Sequence, residues 1–197
     1  SYSFKGNTVY DSQTLTALVD GYRGKITFEK LLEATRQVTD YYRKHGYLVA
    51  HAYVPEQEIK GGNVAIIVVE GALGEINFKG DKPITRKRAA ARMQRLAKTG
   101  IINEKDLEYG ALLLNDLPGV NASVGLTPGA KPGTTDVNID MKNTARYQLA
   151  ADYNNYGDPV TGENRFGLLG QVNNLFHVGD RFTLRPIISN TGDTLFG

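Results

Sequence analysis

The pentapeptide SFKGN at residues 3–7 returns as NFKGD at residues 77–81, 74 positions further along the chain. A second set of residues recurs at an offset of 73: Gly46, Ala50, Pro55 and Val64 correspond to Gly119, Ser123, Pro128 and Val137. Two units of about 70 residues with the same order of landmarks are typical of a tandem repeat. The sequence therefore predicts two copies of one small domain.

Hydrophobic spacing in the first unit predicts the element order strand–helix–helix–strand–strand. Asp11 and Thr27 are residue types that cap helix N-termini, and each precedes apolar residues spaced three and four apart. The last two strands are predicted at residues 47–54 and 64–70, joined by a connection that contains Pro and Gly. Such a unit forms one small sheet backed by two helices.

The second unit is predicted to repeat this order. Its first helix is expected over residues 85–98, and its second helix follows the capping residue Asn103. We therefore expect one domain at residues 1–72 and a second at residues 73–143. Residues 144–197 have a different character and form a third segment.

The last 52 residues lose helical spacing and alternate apolar with polar side chains. Alternating segments lie at residues 147–154, 166–173 and 182–188, with tyrosines near their ends. Strands of about 10 residues with this alternation are typical of outer-membrane β-barrels. An antiparallel sheet with one wet face has the same pattern. Three strands are too few to close a barrel, so we expect a fragment of a longer protein.

Composition excludes several classes of protein. The 197 residues carry 23 Lys and Arg against 21 Asp and Glu, a net charge of +2, which gives no case for a nucleic-acid partner. With no cysteine, a disulfide or thiolate site is impossible. The longest apolar run, residues 64–69, is far shorter than the ~20 residues of a membrane helix. No leader precedes Ser1, so we expect a signal peptide to have been removed.

Catalytic and metal-binding patterns are missing from the sequence. His45, His51 and His177 have no partners at metal-ligand spacing, and neither a Gly-x-Ser-x-Gly elbow nor a His-Glu-x-x-His pair occurs. We expect no catalytic residues, no cofactor-binding residues and no metal site, and hence no enzyme and no cofactor.

A run of basic residues without an intervening acid spans the predicted helix at residues 85–98. On a helix, Arg88, Arg92 and Arg95 fall on one face and form a candidate electrostatic patch for an acidic client or anionic phosphates. The alternative is a solvated face balanced by acids of the next helix. The whole run comprises Lys82, Arg86, Lys87, Arg88, Arg92, Arg95 and Lys98.

The first unit resembles the first POTRA domain of two-partner secretion transporters, the haemolysin and filamentous-haemagglutinin exporters of Gram-negative outer membranes. The resemblance lies in GYLVAHAYVP at residues 46–55, GNV at residues 62–64 and VVEG at residues 68–71.

The second unit is similar to the second POTRA domain of these transporters, through INFKG at residues 76–80 and LNDLPGV at residues 114–120. The tail resembles their opening barrel strands, through DYNNYG at residues 152–157 and NNLF with a following GD within residues 173–180. The family's N-terminal plug helix, its Pro-rich linker and the rest of its barrel have no counterpart in this chain.

The resemblance implies an α+β fold of two tandem POTRA domains, each β-α-α-β-β with a three-stranded sheet and two helices, followed by the first antiparallel strands of an outer-membrane barrel. It implies the periplasmic recognition part of an outer-membrane transporter that exports a large exoprotein, which is an adhesin, a haemolysin or a contact-dependent toxin. Two alternatives are a general outer-membrane protein insertase and the exporter part of a secreted lipolytic enzyme.

In POTRA domains, the strand after the second helix lies at a sheet edge, where an extended client pairs with its backbone. The corresponding edges here are residues 47–54 and 121–127, bordered by the helices around residues 28–42 and 103–117. The alternative is that the aromatic rings of the first edge pack on their own helix. The candidate client-binding residues are Tyr47, Val49, His51, Tyr53, Asn121, Ser123 and Val124.

The expected partners are the secretion domain of a cognate exoprotein and, through the full-length barrel, the outer membrane. The expected location is the outer membrane with the POTRA domains in the periplasm. Truncated barrel strands expose edges and apolar faces, so self-association of this chain is also expected.

Overall fold

The computed structural model describes residues 1–24, 27–59, 61–81, 84–191 and 194–196. In chain order, the elements are β1 (Tyr2–Lys5), α1 (Ser12–Leu18), α2 (Phe28–Lys44), β2 (His51–Tyr53), β3 (Val64–Val69), β4 (Ala72–Gly80), α3 (Arg86–Arg92), α4 (Gln94–Thr99), α5 (Glu104–Asn115), β5 (Val120–Pro128), β6 (Thr134–Asn143), β7 (Tyr147–Asn154), β8 (Arg165–Asn173), β9 (Arg181–Leu184), β10 (Pro186–Ser189) and β11 (Thr194–Phe196).

The chain divides into two compact units, each assembled from separate stretches. The first unit consists of Ser1–Asn77, Arg92–Ala111 and Val124–Ile139, and the second of Phe78–Ala91, Leu112–Ser123 and Asp140–Gly197. The domain boundaries expected from the sequence, which follow continuous segments, stay predictions.

The first sheet, in the first unit, has the strand order β1-β3-β2, with β1 parallel and β2 antiparallel to β3. β3 buries alternate side chains, Val64, Ile66 and Val68, because successive residues of a strand point to opposite faces. The predicted order β-α-α-β-β is present. The core between the helices and this sheet contains Leu15, Val19, Ala34, Val38, Tyr42, Ala50 and Val68.

Both helix caps predicted in this unit are present. The Asp11 carboxylate accepts a hydrogen bond from Thr14 N–H at 2.6 Å, which is the main cause that lowers the pKa of Asp11. The Thr27 hydroxyl accepts one from Lys30 N–H at 3.4 Å. These bonds satisfy N–H groups that the first turn of a helix leaves without partners, so the sequence signal and the helix start coincide.

A buried carboxylate holds the elements of the first sheet together. Glu70 follows β3 and is only 7% exposed. Its Oε1 accepts hydrogen bonds from Thr8 N at 2.7 Å, Val9 N at 2.9 Å and the Tyr42 hydroxyl at 2.7 Å, and its Oε2 accepts one from the Thr8 hydroxyl. Burial alone would raise the pKa of Glu70, but these four donors outweigh it and lower the pKa. The carboxylate therefore links β3, the loop before α1, and α2.

The strand predicted at residues 47–54 is shorter than expected, because β2 spans only His51–Tyr53. The preceding residues form a turn instead. Tyr47 N–H bonds to Tyr42 O at 3.1 Å, which closes the end of α2, and Ala50 N–H bonds to Tyr47 O at 3.0 Å. These local bonds occupy backbone groups that a longer strand would have used.

The second sheet has the strand order β4-β6-β5. The single helix predicted over residues 85–98 is wrong, since α3 and α4 are separated at Met93, whose φ of −94° and ψ of 8° leave the helical region. Met93 is buried, and a Cβ at Gly110 of α5 would lie 2.3 Å from its sulfur. The break accompanies this close packing, which hydrophobic spacing does not reveal. The predicted α+β class is confirmed by these helices and sheets.

The third sheet lies in the second unit and has the strand order β11-β10-β8-β7, with β9 also paired to β8. β7 and β8 pair antiparallel along their full lengths, from Tyr147 opposite Val172 to Asn154 opposite Arg165. Tyr147, Leu149 and Tyr153 alternate along β7 and are all exposed. Residues 147–154 and 165–173 therefore form paired strands, as the alternation in the sequence predicts.

The single strand predicted over residues 182–188 is interrupted at Arg185, which separates β9 from β10. Both pieces keep one register on β8, with Leu184 opposite Gly170 and Ile187 opposite Gly167. Pro186 lies between these pairs and has no N–H to donate, which explains the gap in the hydrogen-bonded ladder.

Within the described ranges, no helix combines the length and the apolar content needed to cross a membrane.

The Glu70 carboxylate leads to a prediction about stability. Glu70→Ala leaves two backbone N–H groups and the Tyr42 hydroxyl without their acceptor, so we expect the free energy of unfolding to fall by about 3 kcal/mol or more. The exchange of the Thr8 and Val9 amide hydrogens with solvent is expected to accelerate. The urea midpoint, followed by far-ultraviolet circular dichroism, measures the first effect and hydrogen exchange the second. Glu108→Gln, an exposed carboxylate on α5, is the control.

The same carboxylate predicts an acid-dependent loss of stability. Because the folded-state pKa of Glu70 is lowered, its contribution is present above the unfolded-state pKa and disappears as the pH falls through the folded-state pKa. The free energy of unfolding is expected to fall between about pH 5 and pH 3, and by less in Glu70→Gln. Equal acid sensitivity in both proteins would contradict this role.

Candidate functional site

β2 is an edge strand of the first sheet, as the sequence predicts for this part of the chain. Its His51 and Tyr53 side chains are exposed, and their rings stack at 6.2 Å between centroids. The two rings lie on one face of the strand, since they are two residues apart. Two of the four candidate residues of the first edge are therefore on an accessible strand.

Side chains of α2 occupy part of the outer backbone edge of this region. Ala52 N–H donates to the Thr39 hydroxyl at 2.9 Å, and the Arg43 Nε–H donates to Ala50 O at 3.3 Å. These contacts take positions that a neighbouring strand would fill. A client strand has to displace them to pair here.

Tyr47 and Val49 lie outside β2, so their assignment to an edge strand is corrected. The Tyr47 ring packs edge-to-face against Tyr42 of α2 at 5.8 Å, which is the alternative of rings packing on their own helix. Val49 packs against Gly71, where a Cβ would lie 2.1 Å from the Val49 Cγ2. Gly71 also has a φ of +79°, so only glycine suits both the space and the backbone there.

β5 is an edge strand of the second sheet and carries the other three candidate residues. Asn121 and Ser123 are exposed, and Val124 is half-buried. The Asn115 side chain, at the end of α5, pairs with both backbone groups of Ala122: its Oδ1 accepts from Ala122 N at 2.7 Å and its Nδ2 donates to Ala122 O at 3.0 Å. The Asn115 side chain thus forms the two hydrogen bonds with Ala122 that a neighbouring strand would form.

The backbone of Val124 and Leu126 has the same orientation as that of Ala122, because backbone groups alternate along a strand. Both residues lie further along β5 than the position that Asn115 covers. This part of the edge is the better candidate for pairing with an extended client.

An apolar groove of about 290 Å³ lies in the first unit, where residues of the two predicted edge segments come together. Val49 and His51 contribute from the first segment, and Leu126 and Thr127 contribute from the second. The other four candidates on strands, Tyr53, Asn121, Ser123 and Val124, do not line it. The groove-lining residues include Val49, His51, Val69, Gly71, Leu126 and Pro128.

Sequence reasoning missed Val69, Gly71 and Pro128 as parts of one groove. The repeat gave one indication that Pro128 ends an edge strand, because Pro128 is the counterpart of Pro55 in the second unit. The proximity of the segments was not readable from either repeat alone.

The three arginines of the candidate electrostatic patch do not form one free surface. The Arg88 guanidinium donates to Val178 O at 2.8 Å in the second unit. Arg95, in the first unit, forms an ion pair with Asp106 at 2.7 Å and lies over the Tyr109 ring at 5.4 Å. Lys82 of the same run lies outside the described residues. Arg92, the third arginine of the patch, is half-buried, and it forms no ion pair with the carboxylates of the described residues.

Two of the three histidines bond locally to backbone. His45 Nδ1 lies 2.7 Å from Tyr41 O, and His51 Nδ1 lies 3.4 Å from Val49 O. In the ranges that the structure describes, no three His, Asp or Glu residues gather as metal ligands would. The expected absence of a metal site stays a prediction.

Charge-reversal variants distinguish an arginine that stabilises the fold from one that is free to take part in a binding patch. Asp106 is largely buried, with 10% of its side chain exposed, so Arg95→Glu places a second carboxylate beside one that cannot escape to solvent. We expect the free energy of unfolding to fall by about 1–3 kcal/mol. Arg92→Glu is the matched control and is expected to change it by no more than about 0.5 kcal/mol. Thermal and urea unfolding measure both, and equal effects would contradict the assignment.

Two family models match the chain. Residues 1–71 match the model of the POTRA domain of ShlB type, and residues 133–192 match that of the haemolysin secretion/activation protein ShlB/FhaC/HecB. The structure is also similar to that of CdiB from Escherichia coli, with a TM-score of 0.81 and 22% sequence identity over 96% of this chain and 35% of that one. This structural match supports the fold.

Curated relatives are similar along almost the whole chain. The heme/hemopexin transporter protein HuxB of Haemophilus influenzae strain 86-028NP is 31% identical over 188 residues, which is 94% of this chain and 33% of the relative. The outer membrane transporter CdiB of Dickeya dadantii is 26% identical over 91% of this chain and 32% of the relative.

The chain thus spans about a third of the length of these relatives. The family is one of outer-membrane transporters, and its POTRA domains lie in the periplasm, as expected from the sequence. The two family models, the relatives and the fold agree on what the chain is similar to: residues 1–71 match the ShlB-type POTRA domain, and residues 133–192 match the ShlB/FhaC/HecB secretion proteins.

Proposed function

We propose that this chain is the periplasmic recognition part of a transporter that binds the N-terminal secretion domain of one exoprotein and passes it to the barrel pore. The observation that carries this proposal is the apolar groove, which combines residues from both predicted edge segments. In this proposal, residues 1–72 and 73–143 are the two POTRA domains and residues 144–197 begin the barrel.

The names of the relatives support an export role. HuxB is described as a heme/hemopexin transporter protein and CdiB as an outer membrane transporter. An exporter of this kind has to hold an extended chain without demanding one peptide sequence. Main-chain pairing meets that requirement, because every residue except proline offers the same backbone groups.

The groove adds selectivity to backbone pairing. A client strand along Val124 and Leu126 would pair with the β5 edge, and one of its apolar side chains would enter the groove beside Leu126 and Val49. The stacked His51 and Tyr53 rings add exposed aromatic area on the neighbouring edge strand. Client binding in this scheme needs no nucleotide, cofactor or metal, and the chain acts by binding rather than as an enzyme.

Calorimetric titration with two ligands tests this function. The first ligand is the secretion domain of the exoprotein encoded beside the gene for this chain, and the second is an unfolded porin. We expect saturable binding to the secretion domain alone. Equal binding to the porin would favour a general insertase, and absence of binding to both would contradict recognition by this part of the protein.

Substitution in the groove gives a sharper prediction. Leu126→Lys places a charge on a half-buried apolar wall of the groove, so we expect the affinity for the secretion domain to fall by about tenfold to a hundredfold. Leu112→Lys makes the same change at an exposed leucine of α5 and is expected to leave the affinity unchanged. Equal losses would contradict the groove.

A proline tests backbone pairing separately. Val124→Pro removes an N–H from the outer edge of β5 and is expected to weaken secretion-domain binding by about fivefold or more with little loss of stability. Val49 is unsuitable for this test because it lies in a turn. Arg92→Glu is expected to leave the affinity unchanged, and a large salt-sensitive loss in this variant would indicate an electrostatic site instead.

Self-association of the barrel strands is a further part of the proposal. β7 and β11 end the third sheet, and exposed apolar side chains such as Leu149 and Phe166 lie along its strands. We expect oligomers in sedimentation experiments without detergent and monomers in maltoside micelles. A monomer under both conditions would contradict this expectation.

A further inference from the structure

A polar cavity of about 180 Å³ lies in the second unit, where β7 begins and where the turn at residues 174–180 joins β8 to β9. Its lining includes Asn143, Arg146, Asn173, Asn174 and His177. Neither the candidate client-binding residues nor the groove in the first unit includes any of these side chains.

Hydrogen bonds fix the inner wall of this cavity. Asn173 and Asn174 are both buried. The Asn173 side chain donates to Ala145 O at 3.1 Å and accepts from Arg181 Nε at 3.2 Å, and the Asn174 Oδ1 accepts from Gly179 N at 3.0 Å. The wall is thus organised before any ligand arrives, which lowers the entropic cost of binding.

A close backbone approach completes the wall. A Cβ at Gly119 would lie 2.7 Å from the Asn174 Cβ, and Gly119 has a φ of +82°. Asn174 itself adopts a left-handed conformation with a φ of +56°. Any larger residue at position 119 would push the turn away and change the shape of the cavity.

The exposed side of the cavity carries the Arg146 guanidinium and the His177 imidazole. Arg146 and His177 are exposed, and among the residues that the structure describes no carboxylate forms an ion pair with Arg146. The acid of the turn, Asp180, accepts hydrogen bonds from Phe176 N at 3.1 Å and 3.3 Å. A guanidinium beside fixed amide groups is suited to the oxygens of a phosphate.

The surroundings of the cavity are those of a membrane interface. Phe176 in the turn is 74% exposed, and Tyr147 and Leu149 at the start of β7 are 69% and 76% exposed. Exposed aromatic residues flank the apolar band of outer-membrane barrels at the level of the lipid headgroups. The combination of exposed apolar side chains and a cationic polar cavity matches a phospholipid, which offers acyl chains and a phosphate together.

We propose that this cavity binds the phosphate of a phospholipid headgroup in the periplasmic leaflet of the outer membrane. Arg146 supplies the charge, the Asn143 amide supplies directional hydrogen bonds, Asn174 shapes the inner wall, and Tyr147 and Phe176 contact the lipid beside its headgroup. This site anchors the junction between β7 and the turn of the second unit. It does not depend on whether the chain recognises an exoprotein.

Nuclear magnetic resonance of the full chain in maltoside micelles, which contain no phosphate, tests the site. The side-chain amide signals of Asn143 and Asn174 are followed during titration with dihexanoyl phosphatidylglycerol and, separately, with inorganic phosphate. We expect saturable shifts with the lipid and at least about tenfold weaker binding of inorganic phosphate, which lacks the apolar contacts.

Two arginine variants complete the test. Arg146→Gln is expected to weaken lipid binding by about tenfold, and His177→Gln serves as a second variant if Arg146→Gln disturbs the spectrum of the sheet. Arg165→Gln, at the opposite end of β8, is the matched control and is expected to bind as the parent chain does. Absence of shifts with the lipid, equal losses in Arg146→Gln and Arg165→Gln, or equally tight binding of inorganic phosphate would overturn the proposal.

Discussion

The structure of the first sheet depends on one buried carboxylate. Glu70 has no cation beside it among the described residues, and four hydrogen bonds from Thr8, Val9 and Tyr42 stabilise its charge. Because the donors come from the loop before α1 and from α2, the end of β3 cannot shift without breaking bonds in both. The adjoining residues, Val69 and Gly71, line the apolar groove. The same interaction that stabilises the sheet therefore holds one wall of the candidate client site.

Both candidate sites are built where a glycine lets another segment come close. Gly71 leaves room for Val49 at the groove, and Gly119 leaves room for Asn174 at the polar cavity. Both glycines have positive φ values, so any other residue meets a steric and a conformational barrier at once. The groove is apolar and suits a variable side chain, whereas the cavity is polar and suits an anion. Similar backbone features thus shape two chemically different candidate sites.

Sequence patterns predicted the repeat, the two helix caps of the first unit and the alternation in the tail, because each of these is a local signal. They failed where particular backbone and side-chain contacts outweigh the pattern. The turn at residues 47–50 depends on a bond from Tyr47 to the end of α2, and the helix break at Met93 accompanies the close approach of Gly110. The interruption at Arg185 could have been predicted from the following Pro186, since proline lacks the N–H of a ladder. Helical spacing predicted that three arginines share one face. It did not predict that Arg88 bonds to Val178 and that Arg95 pairs with Asp106.

The side chains that cover the strand edges have a consequence for release of a client. Thr39 and Asn115 already bond to the backbone of Ala52 and Ala122, so a client that pairs there exchanges one hydrogen bond for another. Such an exchange yields little net free energy, and the covered edges also resist pairing between copies of the protein. In the proposed scheme, recognition therefore relies on the uncovered backbone at Val124 and on apolar contacts in the groove. A transporter that has to release every client segment it binds benefits when each residue contributes little binding free energy and successive segments can bind in turn.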